Sequence, residues 1–183
     1  MNFEIRQLED TDFSDKSGFV ETMANMSDVS NLDLDQLKTI WQKAKQQDAY
    51  FFVAVSQEED SKDQIVATVK LLVEPKFFHG AKAAGHIEDV VTRQGFEGNG
   101  LAKALLQEAI KTAEANNCYK LILDCKKELD KFYAKSGFVE HGICMRVDFK
   151  KLLNKKTHGY KNSTIYIKYS FSTRHFVCLV SIL

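Results

Sequence analysis

The first third of the chain combines a strand-like and a helix-like pattern of apolar residues. Residues 3–8 (FEIRQL) alternate apolar and polar positions, which predicts a half-buried strand. Residues 12–27 and 33–47 instead show helix-like patterns, which predict two helices. Asp33 stands at the start of the second, where a carboxylate can cap the free N–H groups of a helix.

The middle of the chain has the pattern of a β-hairpin followed by a further strand. Residues 50–56 (YFFVAVS) and 64–74 (QIVATVKLLVE) are rich in β-branched and aromatic residues, and the polar segment QEEDSKD separates them. This arrangement predicts two strands joined by a loose turn. After the loop PKFFHGAKAA, residues 85–92 (GHIEDVVT) predict another strand.

A strand–helix–strand unit comes next. The segment QGFEGNG leads into a predicted helix over residues 101–117 and then a predicted strand over residues 119–125 (YKLILDC). A helix around residues 128–137, with Gly137 as its stop signal, and a closing strand over residues 139–149 complete the pattern.

The resulting order of elements, β-α-α-β-β-β-α-β-α-β, predicts an α/β protein (mixed α+β) whose mixed sheet carries helices on its faces. Residues 1–149 are expected to form one domain, because a chain of this size supports a single core. Residues 150–183 change abruptly in composition to Lys, Asn, Ser and β-branched residues. Three interpretations of this extension stay open: an extra strand, a disordered basic tail, or the product of an incorrect gene model.

The distribution of charge bears on the class of partner. The chain has 25 basic and 25 acidic residues, but the segment from Lys150 onward carries seven Lys/Arg and no Asp/Glu. The preceding residues 1–149 therefore have a net charge of about −7. An acidic body without a basic stripe argues against nucleic acid as the main partner.

The cysteines and the N-terminus indicate a cytoplasmic protein. Cys118, Cys125, Cys144 and Cys178 are too far apart for a CxxC pair and have apolar neighbours, so we expect them to be reduced and buried, with no metal site. The N-terminus lacks the basic-then-apolar order of a signal peptide. No window approaches the roughly 18 apolar residues that a transmembrane segment needs.

The segment GFEGNGLAK, at a predicted strand-to-helix junction, has the composition of an anion-binding site. Glycines let the backbone approach a ligand, and the first N–H groups of the helix, with the helix dipole, favour phosphate oxygens. The segment is neither a Walker A loop nor a Rossmann GxGxxG motif. A tight turn that binds no ligand is the alternative interpretation.

The spacing of these glycines resembles the R/Q-x-x-G-x-G/A loop with which GNAT acetyltransferases hold the diphosphate of coenzyme A, with Glu97 in place of the usual Arg or Gln. The segments EPKFFH, GHIEDVV, CYKLILDC and KFYAKSGF occur in the order and spacing seen in the eukaryotic glucosamine 6-phosphate N-acetyltransferases. The N-terminal GFVETMANMSDVS is a looser match, and the resemblance covers about residues 3–147.

The resemblance implies the GNAT acyl-CoA N-acyltransferase fold and direct transfer of an acetyl group from acetyl-CoA to the amine of D-glucosamine 6-phosphate, in UDP-N-acetylglucosamine biosynthesis. It implies acetyl-CoA as co-substrate and no metal. The pantetheine arm would bond to a strand as if adding another strand. The implied cofactor-binding residues are Val90, Val91, Thr92, Gly98, Asn99, Gly100, Leu101, Ala102, Lys103, Leu129, Phe132 and Tyr133.

Three residues are implied in catalysis. Tyr133 would protonate the departing thiolate, since a phenol with a pKa near 10 keeps its proton at pH 7; alternatively it is a core residue with a bonded hydroxyl. Asp124, inside the apolar LILDC, would be costly to bury without a partner, and the resemblance implies that it positions the attacking amine. Glu88 is implied at the amino sugar. It and Asp89 are adjacent in a strand and are expected on opposite faces, where plain exposure to solvent is the alternative.

For the sugar phosphate, the resemblance implies a homodimer whose sites are shared between subunits. Lys76 and His79 match a loop of one subunit, while Tyr119 and Lys120 match a pair that the other contributes. Each alone could equally be a solvated surface residue. The implied substrate-binding residues are Ser27, Lys76, Phe77, Phe78, His79, Glu88, Asp89, Val90, Tyr119, Lys120, Asp124 and Arg146.

Departures from the family pattern keep two further hypotheses open. Asp148 stands where the family has an arginine, although Arg146 lies two residues earlier on the same predicted strand face. The reversed charge favours an acetyltransferase for another amine, such as a peptide lysine or a polyamine. Glu97, Leu129, which replaces a usual Asn, and the unusual C-terminus favour a catalytically weak CoA-binding module that docks through its basic tail.

Overall fold

The structure is a computed structural model that describes residues 1–29 and 33–147. Within those residues it contains five strands and four α-helices, with short 3-10 turns between some of them. In chain order the elements are β1 (Phe3–Gln7), α1 (Phe19–Ala24), α2 (Leu34–Lys45), β2 (Ala49–Ser56), β3 (Ile65–Pro75), β4 (Ala83–Thr92), α3 (Leu101–Ala115), β5 (Cys118–Ile122) and α4 (Asp130–Ala134).

The five strands form one mixed sheet in the order β1-β2-β3-β4-β5. Strands β1 to β4 are antiparallel neighbours, and β5 runs parallel to β4. The parallel pair is possible because α3 provides the long crossover that such a connection needs. The predicted hairpin, the strand–helix–strand unit and the mixed sheet with helices are confirmed.

The core lies on both faces of this sheet. In β2, Phe52 and Ala54 belong to one apolar cluster, while Val53 and Val55 belong to a second cluster, and the period of a strand places the two clusters on opposite faces. The first cluster includes the buried side of α3, and the second includes residues of α1 and α2. The helix residues concerned are Leu101, Leu105, Leu106, Ala109 and Ala113 on the first face, and Phe19 and Trp41 on the second.

The two N-terminal helices differ in how well the sequence predicted them. Asp33 caps α2 by accepting a hydrogen bond from the main-chain N–H of Gln36 at 2.7 Å, as expected. The predicted helix over 12–27 was too long, since α1 begins only at Phe19. Asp12 instead lies at the end of a 3-10 turn, where its carboxylate accepts two hydrogen bonds of 2.7 Å from the Arg6 guanidinium.

The C-terminal part of the described chain contains less strand than predicted. β5 ends at Ile122 rather than at residue 125, and residues 139–147 form no strand. A strand needs a neighbour for its N–H groups, and within the described residues β5 is bonded to β4 alone. The prediction of a closing strand was therefore wrong for 139–147, and its last two residues lie outside the described chain.

The described chain divides into two compact units, Met1–Gly142 and a second unit that begins at Ile143. The predicted domain boundary at residue 149 and the extension over 150–183 lie outside the described residues. Among the helices of the described chain, none has the length and apolar character required to cross a membrane.

Candidate active site

β4 and β5 are hydrogen-bonded over only part of their length. Pairing runs from Ala83 opposite Cys118 to His86 opposite Ile122, where β5 ends. From Ile87 to Thr92, β4 has β3 as its only neighbour among the described strands, with a register shift at Asp89 and Val90. The main-chain groups on the other side of β4 are therefore available to a ligand that lies beside the longer strand. We name this feature the β4–β5 opening. It contains the three residues predicted to bond pantetheine: Val90, Val91 and Thr92.

A β-bulge lies within the same part of β4. Thr68 pairs with Val91 and Lys70 with Glu88, so one residue of β3 faces two of β4, and Asp89 takes a positive φ of 51°. The Nζ of Lys70 lies 2.9 Å from the Asp89 carboxylate. Both acids therefore lie on the side of the sheet that Lys70 occupies, and the predicted placement on opposite faces was wrong because the two-residue period fails across a bulge.

The glycine loop between β4 and α3 leaves the start of the helix open. Gly98 and Gly100 have φ values of 78° and 81°, a conformation that L side chains rarely adopt. Gly100 occupies the N-cap position and provides no capping side chain, and the helix's first internal bond runs from the Ala104 N–H to the Gly100 oxygen. The N–H groups of the first helical turn therefore have no acceptor within the helix. They belong to three predicted phosphate-binding residues: Leu101, Ala102 and Lys103.

Two polar side chains hold this loop together. The Glu97 carboxylate accepts a hydrogen bond from the Gly95 N–H at 2.7 Å. The Asn99 amide donates to the Phe96 carbonyl at 3.1 Å and lies 3.3 Å from the Glu97 carbonyl. The predicted cofactor residue Asn99 and the atypical Glu97 thus both bond to the loop's own main chain.

Tyr133 lies in α4 and is buried, with 8% of its surface exposed. Its ring makes edge contacts with Phe132 at 5.0 Å and Phe138 at 6.1 Å, and it belongs to the same apolar cluster as Ile87 of β4 and Leu101 of α3. Burial raises the pKa of Tyr133 above its ordinary value. The phenol therefore keeps its proton at neutral pH, as an acid that protonates a thiolate must.

The segment between β5 and α4 is more exposed than expected. Asp124 follows the end of β5 and is exposed, so the predicted buried carboxylate was wrong, because the strand stops two residues before it. Leu129, at the start of α4, is 44% exposed, and Phe132 is half-buried against the first apolar cluster. Both residues precede Tyr133 in the chain, in the segment where cofactor contacts were predicted.

Three of the predicted sugar-phosphate residues lie together in one chain, whereas Tyr119 and Lys120 were expected to meet His79 from the other subunit of a dimer. The rings of His79 and Tyr119 stack with centroids 4.0 Å apart, and the Nζ of Lys120 lies 5.4 Å from the centroid of the Tyr119 ring. His79 belongs to the β3–β4 connection and has a positive φ of 56°. We name this group the His79 cluster (His79, Tyr119 and Lys120); it combines a cation and aromatic faces at the N-terminal end of β5.

Lys76, the fourth residue predicted to bind the sugar phosphate, has a carboxylate partner. Its ammonium pairs with Glu74, whose carboxylate also lies 2.9 Å from Nε2 of His86. Lys76 and then His86 lower the pKa of Glu74, so the carboxylate is charged at neutral pH. A phosphate that approached Lys76 would have to compete with Glu74.

The other predicted substrate residues are scattered. Phe77 is fully exposed and Phe78 is 77% exposed, at the tip of the β3–β4 connection. Ser27 is exposed just after α1. Arg146 lies in the second unit, in residues that form no strand, so its predicted place on a closing strand was wrong.

Comparison with known proteins identifies the class of this site. The family model described as the acetyltransferase (GNAT) family matches residues 5–138. The chain belongs to that family. Enzymes of this family use acetyl-CoA, which is in keeping with an open strand beside an uncapped, glycine-initiated helix.

Relatives of this acetyltransferase carry a consistent name. It is 33% identical to the "Glucosamine 6-phosphate N-acetyltransferase" of Trypanosoma brucei brucei, over 81% of this chain and 97% of that protein. A Drosophila melanogaster protein named "Probable glucosamine 6-phosphate N-acetyltransferase" is 33% identical over 74% of this chain, which spans only 60% of that longer protein. The crystal structure of the Arabidopsis thaliana glucosamine-6-phosphate N-acetyltransferase matches with a TM-score of 0.74 and 31% identity, over 81% of this chain and 99% of that chain.

Sequence reasoning missed several polar residues of the acetyltransferase. Lys70 pairs with Asp89, Glu74 with Lys76, and Arg93 donates to four acceptors behind the glycine loop. The Lys70 pair depends on the register of β3 and β4, and the acceptors of Arg93 depend on how α1 and the start of β3 pack; Glu74 and Lys76 are only two residues apart. A lone charged residue in a strand carries no signal that would have identified it.

The expectation of buried cysteines was wrong for the acetyltransferase. Cys118 is half-buried, while Cys125 and Cys144 are exposed. Cys125 is exposed because β5 ends before it, and Cys144 because its predicted strand does not form. Cys178 lies outside the described residues.

Proposed function

We propose that this acetyltransferase transfers the acetyl group of acetyl-CoA to the amine of D-glucosamine 6-phosphate, giving N-acetyl-D-glucosamine 6-phosphate and CoA. The observation that carries the proposal is the β4–β5 opening, where residues of β4 have no partner in β5, in a chain whose glycine loop leaves the N-terminus of α3 uncapped. The names of the relatives in Trypanosoma, Drosophila and Arabidopsis support the choice of acceptor.

The donor, acetyl-CoA, would be held through two polar parts of its molecule, the diphosphate and the pantetheine arm. The diphosphate fits the free N–H groups at the start of α3, where the dipole of a 15-residue helix favours an anion. The amide-containing pantetheine arm fits the open main chain of Val90–Thr92, in the manner of an added strand. Lys103, exposed in the first turn of α3, adds a cation for the phosphates.

The acceptor's phosphate would lie at the His79 cluster. Lys120 is exposed and provides a point charge, and the stacked rings of His79 and Tyr119 provide a flat surface for a sugar. Glu88 and Asp89, at the bulge of β4, present carboxylates that can accept hydrogen bonds from the sugar amine and hydroxyls. Ser27 and Asp124 are exposed and are proposed as further polar contacts.

The chemistry is direct acyl transfer without an acyl-enzyme. The neutral amine nitrogen attacks the thioester carbonyl carbon, a C–N bond forms, and the C–S bond breaks as the tetrahedral intermediate collapses. The amine loses a proton to water or to the Glu88 carboxylate, and the departing thiolate takes the phenolic proton of Tyr133. A proton from water then restores the phenol of Tyr133 for the next turnover. Because burial keeps Tyr133 protonated, the acid is present at neutral pH without any partner base.

We further propose that the enzyme works in the cytoplasm as a homodimer with shared sites, in UDP-N-acetylglucosamine biosynthesis. Phe77 is fully exposed and Phe78 is 77% exposed, and both directly precede His79 in the chain. Contiguous exposed aromatics are uncommon on a monomer and are typical of an interface. A second copy that covers them would bring its own residues to the sugar-binding end.

One observation favours a second candidate acceptor. Glu74 neutralises Lys76 in the described structure, which leaves Lys120 as the remaining lysine of the predicted phosphate-binding end. A site with less positive charge would suit an amine without a phosphate, such as a polyamine or a peptide lysine.

A thiol-release assay distinguishes these acceptors. Purified protein with acetyl-CoA is given glucosamine 6-phosphate, glucosamine or a lysine peptide at equal concentrations. The proposal predicts a kcat/KM for the sugar phosphate at least about 100-fold above the others, since each tenfold step needs only about 1.4 kcal/mol of selective binding. A preference for an unphosphorylated amine would overturn the acceptor, and no release with any of them would favour a CoA-binding module.

A further inference from the structure

The side chain of Arg93 joins separate segments of the fold behind the glycine loop. Its Nη2 donates to the main-chain oxygens of Gly18 at 2.6 Å and Ile65 at 2.5 Å. Its Nη1 donates to the Gln64 amide oxygen at 2.7 Å, and its Nε to the Thr22 hydroxyl at 3.2 Å. These acceptors lie at the start of β3 and in the first turns of α1. One guanidinium therefore connects β3 and α1 to the end of β4.

The surroundings of the guanidinium match its shape closely. Gly18 takes a φ of 74°, and a Cβ at that position would lie only 1.7 Å from Nη2 of Arg93. The fully buried Thr22 places its hydroxyl 2.9 Å from the Gly18 oxygen and 2.7 Å from the Ile65 oxygen. A side chain at residue 18 and the bound guanidinium therefore exclude each other.

The main chain of Arg93 also fixes where the glycine loop begins. Its N–H donates to the Val66 oxygen at 2.8 Å, and its carbonyl accepts from the Phe96 N–H at 3.1 Å. The guanidinium carbon lies 5.8 Å from the centroid of the Phe96 ring. The direction in which residues 94–100 leave β4 is thus set by contacts of one residue.

The end of β4 is also bonded to the segment that leads from α1 to Ser27. The Asn25 side chain donates to the Thr92 carbonyl at 2.6 Å, so the C-terminal end of α1 is bonded to the last residue of β4. Arg93 binds the N-terminal end of the same helix through Gly18 and Thr22. Together they hold α1 against the strand whose open edge forms the β4–β5 opening.

We propose that Arg93 is a positioning residue that fixes the glycine loop and α1 against the end of β4, so that the donor-binding and acceptor-binding segments keep one mutual geometry. Four of its five N–H groups are already bonded to protein, so it acts through these segments rather than by touching a substrate. The inference rests on the proposed acetyl transfer, because it assigns the glycine loop to acetyl-CoA.

Steady-state kinetics of the full-length enzyme test this role. Arg93→Lys keeps the charge but cannot reach four acceptors with one planar fork. We expect it to raise the KM for acetyl-CoA by about five-fold or more and to raise the KM for glucosamine 6-phosphate as well, with kcat within about two-fold. Arg93→Met should likewise raise both KM values, by larger factors, and leave kcat nearly unchanged. Lys62→Met is the control, because exposed Lys62 lines the same surface cleft as Arg93 and its loss should leave both KM values unchanged.

The outcomes separate positioning from plain stabilisation. If Arg93→Lys lowers the melting temperature but leaves both KM values within two-fold per folded molecule, the residue is only structural and the inference is overturned. A rise in KM with Lys62→Met equal to that of Arg93→Met would also overturn it, since the loss of one positive charge from this cleft would then be sufficient. Wild-type enzyme that fails to bind or use acetyl-CoA would contradict the proposed function instead.

Discussion

The carboxylate of Glu97 accepts a hydrogen bond from the main-chain N–H of Gly95, with 2.7 Å between Oε2 and N. An acid therefore stands inside the loop that we assign to a diphosphate, and it helps to shape that loop. Its two effects oppose each other, because the bond orders the loop while the charge repels phosphate. The two effects can be separated by substitution.

Glu97→Gln keeps an oxygen acceptor for Gly95 and removes the negative charge. We expect the KM for acetyl-CoA to fall by about two- to five-fold at low salt, because two like charges about 4 Å apart in water repel each other by about 1 kcal/mol. The decrease should shrink as salt screens the interaction. Glu97→Ala removes both effects and is the comparison; a KM that rises equally in both variants would show that the carboxylate itself is needed.

Tyr133→Phe removes the proposed acid and preserves the buried ring. We expect kcat to fall by about 100-fold or more, the range typical of a lost general acid, while the affinity for acetyl-CoA measured by calorimetry stays near that of the wild type. Tyr50→Phe is a control that removes the hydroxyl of another tyrosine, since Tyr50 is half-buried and donates to Asn116 at 2.9 Å. An undiminished kcat in Tyr133→Phe would remove this residue from the mechanism.

The raised pKa of Tyr133 also predicts a change in stability at alkaline pH. Burial lifts this pKa above the ordinary value of 10.0, so the folded protein holds the phenolic proton more tightly than the unfolded chain does. The stability linked to this group is therefore complete below pH 10 and is lost as the pH rises through the raised pKa.

Urea unfolding across this pH range measures the effect. The free energy of unfolding of the wild type should fall more steeply above pH 10 than that of Tyr133→Phe, which has no proton to lose. The difference between the two proteins isolates this phenol from the other tyrosines. Parallel curves would mean that the buried phenol has the same pKa in the folded and unfolded states.

Lys120 should carry binding of the acceptor's phosphate. Lys120→Met is expected to raise the KM for glucosamine 6-phosphate by about ten-fold, with a smaller effect on the KM for unphosphorylated glucosamine, since a phosphate contact is worth roughly 1.5–3 kcal/mol when it is charge-assisted. Lys111→Met, on the exposed face of α3 beside Glu108, is the control and should change neither value. Equal losses with both sugars would place the phosphate elsewhere.

The sequence predicted those parts of the molecule that local patterns determine. The hairpin of β2 and β3, the capping of α2 by Asp33 and the glycine-initiated α3 depend on residues that are near one another in the chain. The family of the chain was likewise predicted from four short segments in order. The length of α1 was not predicted correctly, because the Asp12 carboxylate binds the Arg6 guanidinium and Asp12 does not belong to the helix.

Features that depend on distant partners were not predictable in the same way. The bulge at Asp89 arises where β3 and β4 lose register, and it places on one side of the sheet two acids that were expected on opposite faces. Arg93 donates to Gly18, which lies 75 residues away in the chain. The exposure of Asp124 follows from the early end of β5, which no pattern in LILDC indicates.

The central claim is that α3 holds the diphosphate of the donor while its sulfur lies beside the phenol of Tyr133. A crystal structure of the enzyme with CoA measures this directly, as the distance between the sulfur and Oη of Tyr133. The account predicts about 3–4 Å, the reach of a proton transfer between positioned groups. A separation beyond about 7 Å, with the diphosphate bound at the start of α3, would contradict it.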